Sequence, residues 1–430
     1  MVHTVGVREE DRYAWERRVP LVPADAVELQ RKHGIRVIVQ SSEKRAFPDA
    51  DYRRVGIEVQ DSLDEAPVIF GIKEIPLERL EPGKTYVFFS HTIKGQAYNM
   101  PMLQRILDLG CTLIDYERIV DENNRRLIFF GNYAGLAGMI ETLWAFGRRL
   151  AYEGIDNPFD SLDRSLAYPD LDTAKAAIAS VGERIARDGL PFPLVIGFAG
   201  YGNVSRGAQE ILSLLPVEEV SPEELIEFSP SSNRVVYKVV FKEKDMVAPV
   251  DSGAEFDLKE YYTHPERYRG VFARYLPHLD ILVNCIYWEP RYPRLVTKEW
   301  VQENYPGARL RVIGDISCDV EGAIEATVKA TEPDNPVYVY DPVQDRAIDG
   351  VEGDGPVIMA VDILPSELPR EASIHFSSVL KRFVPAIAAA DYGVEFSHLA
   401  LPPELKRAVI VHRGTLTPDY RYLEKFLRKE

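Results

Sequence analysis

Residues 194–215 read LVIGFAGYGNVSRGAQEILSLL, an apolar run followed by a glycine turn and a helical pattern. The apolar run ends at Phe198, and Gly200 and Gly202 come directly before the helix-forming residues. Gly200 permits a tight turn, and Gly202 lets the backbone approach a pyrophosphate held at the helix N-terminus. Ser205 stands where a GxGxxG motif has its third glycine, so a structural turn without ligand is the alternative interpretation. The strand before the turn and the helix after it favour a dinucleotide-binding βαβ unit.

Length, composition and charge limit the class of protein further. The chain has 430 residues, of which 46% are hydrophobic and 27% charged, and this length suits about two or three globular domains. The net charge is −16, from 51 basic and 67 acidic residues, and there is no dense basic block. These features argue against nucleic acid or an anionic membrane as the main partner.

The cysteines and the start of the chain predict a compartment. The three cysteines have neither zinc-ligand spacing nor the pattern of a disulfide framework. The first residues, MVHTVGVREEDRYAWERR, contain no apolar signal core, and no run approaches the ~20 apolar residues that span a bilayer. We therefore expect a cytoplasmic protein with reduced cysteines.

Short apolar strands alternate with longer helical patterns, which is typical of parallel α/β sheets. We predict strands at Thr4–Val7, Val37–Gln40, Val68–Ile72, Thr85–Phe89, Cys111–Ile114, Leu194–Phe198, Ile281–Val283 and Leu310–Ile313. We predict helices at Pro23–His33, Met102–Leu109 and Ala134–Tyr152.

These elements predict an α/β fold with two Rossmann-like domains of parallel strands, joined by the long helix over 134–152. Residues 1–145 and 346–430 form the predicted substrate and catalytic domain, and residues 146–345 form the predicted dinucleotide-binding domain. The segment after Pro356 reads as a turn followed by a helix. Because this tail is too short to be a domain, we expect it to pack back on the first one.

Ionisable side chains follow several predicted strands of the first domain. Open parallel sheets bind ligands beyond the carboxyl ends of their strands, so these side chains are expected at one edge. One charged strand end is an ordinary surface feature, but several together indicate a site. The residues are Arg8, Arg17, Arg18, Lys73, Glu74, His91, Lys94, Asp115 and Glu117. A desolvated lysine and a histidine exchange protons near neutral pH, and arginine suits a carboxylate, so we predict a carboxylated substrate whose protonation changes during hydride transfer.

Polar residues also end strands of the second predicted domain, at Asn284 and Asp315. Asp315 and Asp319 either cap the following helix or form a metal site, and no histidine or cysteine ligand set supports a metal. The acidic residue that binds an NAD ribose is expected at the end of the second strand, where Ser221 stands. Because a serine leaves room for a 2′-phosphate, NADP(H) is favoured over NAD(H).

Sequence blocks spread over the whole chain carry a family resemblance. They are WERRVPLVP (15–23), FGIKEIP (70–76), FFSHTIKG (88–95), FFGNYAGLAGMI (129–140), FAGYGNVSRGAQEI (198–211), THPERY (263–268), NCIYWEPRYPRLVT (284–297), GDISCDVEGAIE (314–325), VDILPSELPREAS (361–373) and GTLTPDYRYL (414–423). With these blocks the chain resembles the lysine–ketoglutarate reductase (saccharopine-forming) family, the first half of the bifunctional aminoadipic semialdehyde synthases. That family lies within the alanine dehydrogenase and transhydrogenase fold, and its glycine loop also reads G-x-G-N-V-S.

The resemblance implies a reaction in which L-lysine, 2-oxoglutarate and NADPH give saccharopine. The lysine ε-amine condenses with the keto acid to an imine, which hydride from the nicotinamide reduces. The motifs assign the acid–base pair to Lys73 and His91, and they leave open which of the two serves the carbinolamine step. The predicted substrate-binding residues are Arg18, Glu74, Lys94 and Glu117. The predicted cofactor-binding residues are Gly200, Gly202, Asn203, Val204, Ser221, Asn284, Ile286, Asp315 and Asp362.

Two alternatives to this function stay open. The chain ends at Glu430, so we expect the glutamate-forming half of the bifunctional enzymes to be absent, and a standalone relative can use another amine. One alternative is an alanine-dehydrogenase-like or opine-type dehydrogenase acting on another amine or keto acid. The other is a non-catalytic, cofactor-binding regulator, against which Lys73 and His91 argue. The expected partners are small-molecule substrates, and the sequence leaves the oligomeric state open, a homo-oligomer included.

Overall fold

The computed structural model describes residues 2–427, which fold into strands and helices in alternation. The strands are β1 (Thr4–Val7), β2 (Arg36–Gln40), β3 (Glu58–Gln60), β4 (Val68–Phe70), β5 (Thr85–Phe88), β6 (Thr112–Asp115), β7 (Leu194–Ala199), β8 (Val217–Glu219), β9 (Val236–Phe241), β10 (Val247–Pro249), β11 (Tyr268–Gly270), β12 (Ile281–Asn284), β13 (Val312–Asp315), β14 (Val337–Asp341), β15 (Arg346–Asp349), β16 (Val357–Met359), β17 (Val409–His412) and β18 (Thr415–Leu416).

The helices vary from one turn to six turns in length. They are α1 (Pro23–His33), α2 (Asp49–Arg54), α3 (Met100–Asp108), α4 (Gly131–Tyr152), α5 (Leu171–Asp188), α6 (Asn203–Leu212), α7 (Pro222–Leu225), α8 (Glu243–Met246), α9 (Leu258–Thr263), α10 (Lys298–Asn304), α11 (Pro369–Leu380), α12 (Val384–Ala389) and α13 (Pro403–Lys406). Among the described residues, no helix combines the length and the apolar composition needed to cross a membrane.

The first compact unit runs up to Phe130 and resumes at Pro369. Its eight-stranded sheet has the order β18-β17-β6-β5-β4-β1-β2-β3. Strands β1 to β6 pair in parallel, and all but the edge strand β3 are largely buried, which explains their mainly apolar sequences. Strands β17 and β18 run antiparallel at one edge, where β17 pairs with β6. The prediction that the C-terminal tail packs on the first domain is confirmed, and the sheet is mixed rather than wholly parallel.

The second compact unit covers Gly131–Leu368. Its eight-stranded sheet has the order β15-β14-β16-β13-β12-β7-β9-β8. Six neighbouring strands of this sheet pair in parallel, namely β16, β13, β12, β7, β9 and β8. Strands β14 and β15 form an antiparallel edge. Strand β9 lies directly beside β7, and β8 is displaced to the edge. The strand that follows the glycine turn in the chain is therefore not its spatial neighbour.

Helix α4 belongs to the second unit, in which it packs against α6. A Cβ atom on Gly135 would collide with the Val204 carbonyl, and one on Gly207 would collide with the Asn132 carbonyl, so glycine permits this close crossing. The units divide at 130/131 and 368/369, whereas the sequence predicted 145/146 and 345/346. The difference at the second boundary arises because the predicted turn near 357 is strand β16, which completes the second sheet.

The predicted elements agree closely with the structure. Thr4–Val7 and Pro23–His33 have the predicted bounds, and the other predicted strands shift by at most two residues. The strands without a counterpart in the prediction are β3, β9, β10, β11, β14, β15, β16, β17 and β18. The α/β class with two sheet-containing units is confirmed.

Candidate functional site

The charged residues predicted at strand ends lie along one edge of the first sheet. Strands β1, β4, β5 and β6 are parallel neighbours, so their carboxyl ends meet there. Lys73 and Glu74 follow β4, His91 follows β5, and Asp115 ends β6. The fold thereby gathers groups that are far apart in the sequence.

Glu74 and His91 form a direct contact in this edge cluster. The Nδ1 atom of His91 lies 2.6 Å from Oε1 of Glu74, whose side chain is only 5% exposed. The Asn99 amide donates to the same oxygen and to the His91 carbonyl, each at 3.3 Å. Burial raises the pKa of Glu74, but the hydrogen bond from His91 and the charges of His91 and Lys73 outweigh it and lower the pKa overall. Glu74 is therefore held as a carboxylate that orients the imidazole ring.

The other oxygen of this carboxylate is open to a ligand. Oε2 of Glu74 is buried and has no hydrogen-bond partner among the described residues. A buried carboxylate oxygen without a donor is costly, so a substrate N–H or O–H group suits this position. His91 itself has a φ of 47°, in the left-handed region that few non-glycine residues adopt. Such backbone strain is common in binding sites.

Glu10 fixes the turn that carries Lys73. Its Oε1 accepts from the Ile72 N–H at 2.7 Å, and its Oε2 accepts from the Lys73 N–H at 3.0 Å. Burial raises the pKa of Glu10, and Arg8, 3.5 Å away, opposes that effect. Glu10 thus positions the backbone of Lys73, a role that the sequence analysis did not identify.

Arg18 is buried and already paired. Its Nε donates to Glu16 at 2.8 Å and its Nη2 at 2.5 Å, and the guanidinium lies 4.3 Å from the centre of the Phe130 ring. Burial raises the pKa of Glu16, but the charge and hydrogen bonds of Arg18 and the charge of Lys73 lower it overall. Glu16, which the sequence analysis missed, therefore keeps a fixed negative charge on Arg18 within electrostatic reach of Lys73.

Asp115 anchors the segment that leads into His91. Its Oδ2 accepts from the Ser90 N–H at 3.1 Å and from the Ser90 hydroxyl. Its Oδ1 accepts from the Glu117 N–H at 2.7 Å. Burial, together with the negative charge of Glu117, raises the pKa of Asp115 to about 6. The aspartate is therefore a structural link between the ends of β5 and β6.

Two predicted substrate-binding residues have other surroundings. The Glu117 carboxylate pairs with Arg126 at 2.7 Å. Lys94 is exposed, and within residues 2–427 its ammonium group has neither a hydrogen bond nor an ion pair. The structure therefore brings Glu74 and His91 together near Lys73, but it does not join Lys94 to them.

The glycine turn of the second unit opens into a cavity of about 340 Å³. Gly200 has a φ of 96°, and its N–H donates to the Phe241 carbonyl at 3.0 Å. Gly202 is the N-cap of α6, has no side-chain cap and faces open space where a Cβ would lie. The cavity is lined by Gly200, Tyr201, Gly202, Glu243, Met246, Tyr261, Tyr262, Cys285, Ile286, Tyr287 and Tyr292.

These features fit a dinucleotide. The uncapped N–H groups at the start of α6 suit a pyrophosphate, and the absence of side chains at the glycines allows it to come close. The aromatic rings of Tyr261, Tyr262 and Tyr292 offer surfaces for a base. The sequence analysis predicted Gly200, Gly202 and Ile286 here, but it missed the tyrosines and Glu243, which lie 40 residues or more beyond the turn.

Asn284 and Asp315 are buried and bonded to each other. The Asn284 amide donates to Asp315 Oδ1 at 2.8 Å, and the Thr327 hydroxyl donates to Oδ2 at 2.6 Å. Burial raises the pKa of Asp315 to about 6. The pair fixes the ends of β12 and β13. Asn203 and Val204 lie in the first turn of α6, and Asp362 is exposed after β16.

The position of Ser221 differs from the one the sequence analysis assumed. It follows the edge strand β8, which is separated from β7 by β9. Its hydroxyl accepts from the Glu224 N–H at 3.2 Å, and the Glu224 carboxylate accepts from the Ser221 N–H at 3.0 Å, which is a capping box for α7. The spatial neighbour of the glycine turn is the end of β9, so the argument that a serine beside the ribose favours NADP(H) loses its premise.

Comparison with known proteins agrees with this architecture. The family model described as alanine dehydrogenase/PNT, N-terminal domain, matches residues 6–137, and the C-terminal domain model of the same family matches residues 259–419. A solved structure of an L-alanine dehydrogenase superposes with a TM-score of 0.63 at 18% identity and covers 99% of this chain and 100% of that one. At this identity the likeness shows the fold.

Sequence relatives extend over the whole chain. It is 43% identical to an alpha-aminoadipic semialdehyde synthase of Arabidopsis thaliana, over 98% of this chain and 41% of that protein. It is 26% identical to a saccharopine dehydrogenase (NAD(+), L-lysine-forming) of Schizosaccharomyces pombe, over 88% of this chain and 89% of that protein. The chain spans less than half the length of the Arabidopsis thaliana protein. The resemblance predicted from the motif blocks is confirmed, and the chain belongs to the alanine dehydrogenase/PNT family.

Proposed function

We propose that this chain is an oxidoreductase that joins L-lysine to 2-oxoglutarate and reduces the product to saccharopine with a nicotinamide dinucleotide. The observation that carries the proposal is the contact of 2.6 Å between Glu74 and His91 beside Lys73, at the carboxyl edge of the first sheet. The relatives named aminoadipic semialdehyde synthase and saccharopine dehydrogenase support the choice of substrates.

The reaction needs proton transfers that Lys73 and His91 are suited to perform. The lysine ε-amine adds to the keto carbon, water leaves from the carbinolamine, and the resulting imine is reduced. Because Nδ1 of His91 donates to Glu74, its Nε2 atom is left to take or give a proton. The bound dinucleotide supplies the hydride. The Lys73 ammonium, which stands near the carboxylates Glu16 and Glu74, is the second group able to move a proton.

The same edge suits substrates that carry carboxylates and an ammonium group. Arg18 keeps a planar, always charged guanidinium in place through Glu16, which orients it for a second carboxylate. The open Oε2 atom of Glu74 suits the amine that becomes cationic during condensation. The site therefore offers a positive group for a substrate carboxylate and a negative group for the substrate amine.

The experiment that tests this function follows the oxidation of NADH and of NADPH by absorbance, with 2-oxoglutarate fixed and a panel of amines. We expect rapid oxidation that depends on L-lysine, with saccharopine as the product by mass spectrometry. Turnover only with ammonia, with another amine or with pyruvate would replace the substrates and favour an alanine-dehydrogenase-like or opine-type enzyme. Dinucleotide binding without turnover on any pair would contradict the proposal and favour a regulator.

A further inference from the structure

A polar cavity of about 230 Å³ lies over one face of the first sheet. The buried side chains of Leu63, Ile69 and Tyr86 form its floor. Ile69 of β4 and Tyr86 of β5 are partners in register, so the sheet itself fixes the floor and both side chains point to the same face. Glu74 and His91 are outside its lining. The cavity is therefore separate from the pair that these two residues form.

Arg8, which follows β1, brings a buried guanidinium to this cavity. The residue is only 6% exposed. Its Nη2 atom contacts Asp11, and its Nη1 atom lies 3.5 Å from Oε2 of Glu10. Among residues 2–427, Nη1 has no hydrogen-bond acceptor. Because a buried N–H group of a charged side chain is costly without an acceptor, a ligand oxygen suits this position.

The hydroxyl group of Tyr86 offers a second donor in the same cavity. It accepts from the Glu81 N–H at 2.7 Å, which leaves its own proton for a further acceptor. Burial raises the pKa of Tyr86, so the phenol keeps this proton, and Arg8 lies within electrostatic reach of it. A guanidinium N–H and a phenol O–H are together the donors that a carboxylate accepts.

The rim of the cavity carries the opposite charge. Asp61 and Glu78 line the cavity and are exposed. In the described part of the chain, neither of these carboxylates has an ion pair or a side-chain hydrogen bond. The two other lining carboxylates, Asp11 and Glu81, are already paired with basic side chains. The rim therefore has two negative charges to offer to a cationic group.

We propose that this cavity binds an ω-amino acid, in which a carboxylate and an ammonium group are joined by a short aliphatic chain. The carboxylate accepts from Arg8 and Tyr86 at the floor, and the ammonium group lies beside Asp61 and Glu78 at the rim. The methylene groups cover the apolar part of the floor. L-Lysine, whose side chain ends in an ammonium group, belongs to this class, whereas the rim repels a dicarboxylate. The inference does not rest on the proposed function, in which none of these four residues takes part.

The test measures the binding of 6-aminohexanoate to the whole chain by isothermal titration calorimetry, without dinucleotide or keto acid. Hexanoate lacks the ammonium group and hexylamine lacks the carboxylate, so we expect each to bind at least about tenfold more weakly than 6-aminohexanoate. In the double variant Asp61→Asn/Glu78→Gln we expect a loss of affinity of at least about tenfold as well. The control Glu122→Gln/Glu299→Gln removes two charges from exposed positions outside the cavity and is expected to keep the affinity.

The outcomes separate this inference from the proposed function. Unchanged affinity in Asp61→Asn/Glu78→Gln, or an equal loss in the control, would overturn the assignment to this cavity. A loss in Glu74→Gln alone would place 6-aminohexanoate at the contact between Glu74 and His91 and also overturn it. Binding of neither 6-aminohexanoate nor L-lysine by the unmodified protein would overturn the inference directly. The oxidation of NADH or NADPH with 2-oxoglutarate and an amine tests the proposed function independently of all these results.

Discussion

Buried carboxylates shift their pKa values in opposite directions when Glu16 and Glu74 at the first sheet edge are compared with Asp315 at the second. In the first unit, Glu16 and Glu74 are buried beside Arg18, Lys73 and His91, and their pKa values are lowered. In the second unit, Asp315 is as deeply buried, but its hydrogen bonds come from neutral amide, hydroxyl and backbone groups, and its pKa is raised to about 6. Similar burial thus gives opposite shifts where a positive partner is hydrogen-bonded to the carboxylate. Glu10, which lies 3.5 Å from Arg8 without such a bond and near the charge of Glu16, keeps a raised pKa.

This difference separates two kinds of ligand chemistry. The first edge holds permanent charges of both signs in contact, which suits proton transfer and the binding of charged substrates. The cavity at the second edge is lined by glycines, aromatic rings, an uncapped helix start and the carboxylate of Glu243. An arrangement of that kind binds a large ligand through backbone groups and shape.

The largest expected effect comes from removing the negative charge of Glu16 at the first edge. Glu16→Gln leaves the Arg18 guanidinium buried without its counter-charge, so we expect a loss of about 3–5 kcal/mol in the free energy of unfolding. Urea denaturation at pH 7 measures it. Glu28→Gln is the control at the surface, because Glu28 pairs there with Lys32 and Lys381 and its loss should cost much less than that of Glu16. Equal losses in both variants would mean that burial does not distinguish these pairs.

The proton-transfer groups of the first edge give the next largest effect. We expect Lys73→Met and His91→Gln each to lower kcat by about 10²-fold or more, or about 2.7 kcal/mol, with dinucleotide affinity nearly unchanged. Steady-state kinetics and fluorescence titration measure the two quantities. Lys32→Met, at an exposed position of α1, serves as the control. Unaltered turnover in both variants would remove Lys73 and His91 from the mechanism.

The comparison also explains how far the sequence alone could lead. The apolar runs predicted the central strands, and parallel strands place their carboxyl ends at one edge, so Lys73, Glu74 and His91 were found from the residue that follows each run. Glu10 and Glu16 were missed because they lie in irregular segments before α1, where no periodicity indicates which way a side chain points. Their roles depend on contacts with the turn after β4 and with Arg18.

The assignment of the ribose position depended on strand order instead of on the residue that follows an apolar run. The chain order β7, β8, β9 suggested that the second strand lies beside the first, but pairing inserts β9 between them. Strand order is set by long-range packing, which short motifs do not encode. The capping box of Ser221 and Glu224, three residues apart, was the local pattern that could have assigned Ser221 to a helix start.

A pair of carboxyl groups away from the sheet edge tests the rule that the partner decides the sign. Glu141 and Glu367 are buried in the second unit, and both contact the Ser165 hydroxyl. Burial raises the pKa of both, and for Glu367 the charge of Glu141 raises it further. The folded protein then keeps a proton that the unfolded chain releases above its usual pKa of 4.5. Stability from this pair is full below about pH 4.5 and falls as the pH rises towards the folded pKa.

Glu367→Gln should remove the part of that pH dependence that comes from Glu367 and from its repulsion by Glu141. Because the amide needs no proton, we expect the variant to gain about 1–2 kcal/mol relative to the unmodified protein between pH 5 and pH 8. Urea denaturation at a series of pH values measures the change. Glu371→Gln, in the first turn of α11, is a control for the loss of one charge nearby in the sequence. A parallel pH profile in Glu367→Gln would show that the pair does not hold an extra proton.

The smallest expected effect concerns Ser221. It distinguishes a role as the N-cap of α7 from a contact with the dinucleotide. Because its hydroxyl accepts from the Glu224 N–H at 3.2 Å, Ser221→Ala should cost about 0.5–1 kcal/mol in the free energy of unfolding. The ratio of NADH to NADPH affinity should stay the same, since Ser221 follows the edge strand β8, which β9 separates from the strand of the glycine turn. Fluorescence titration of both dinucleotides checks this ratio. A change in the ratio without loss of stability would indicate that Ser221 contacts the ribose. It would contradict the assignment of the ribose position to the end of β9.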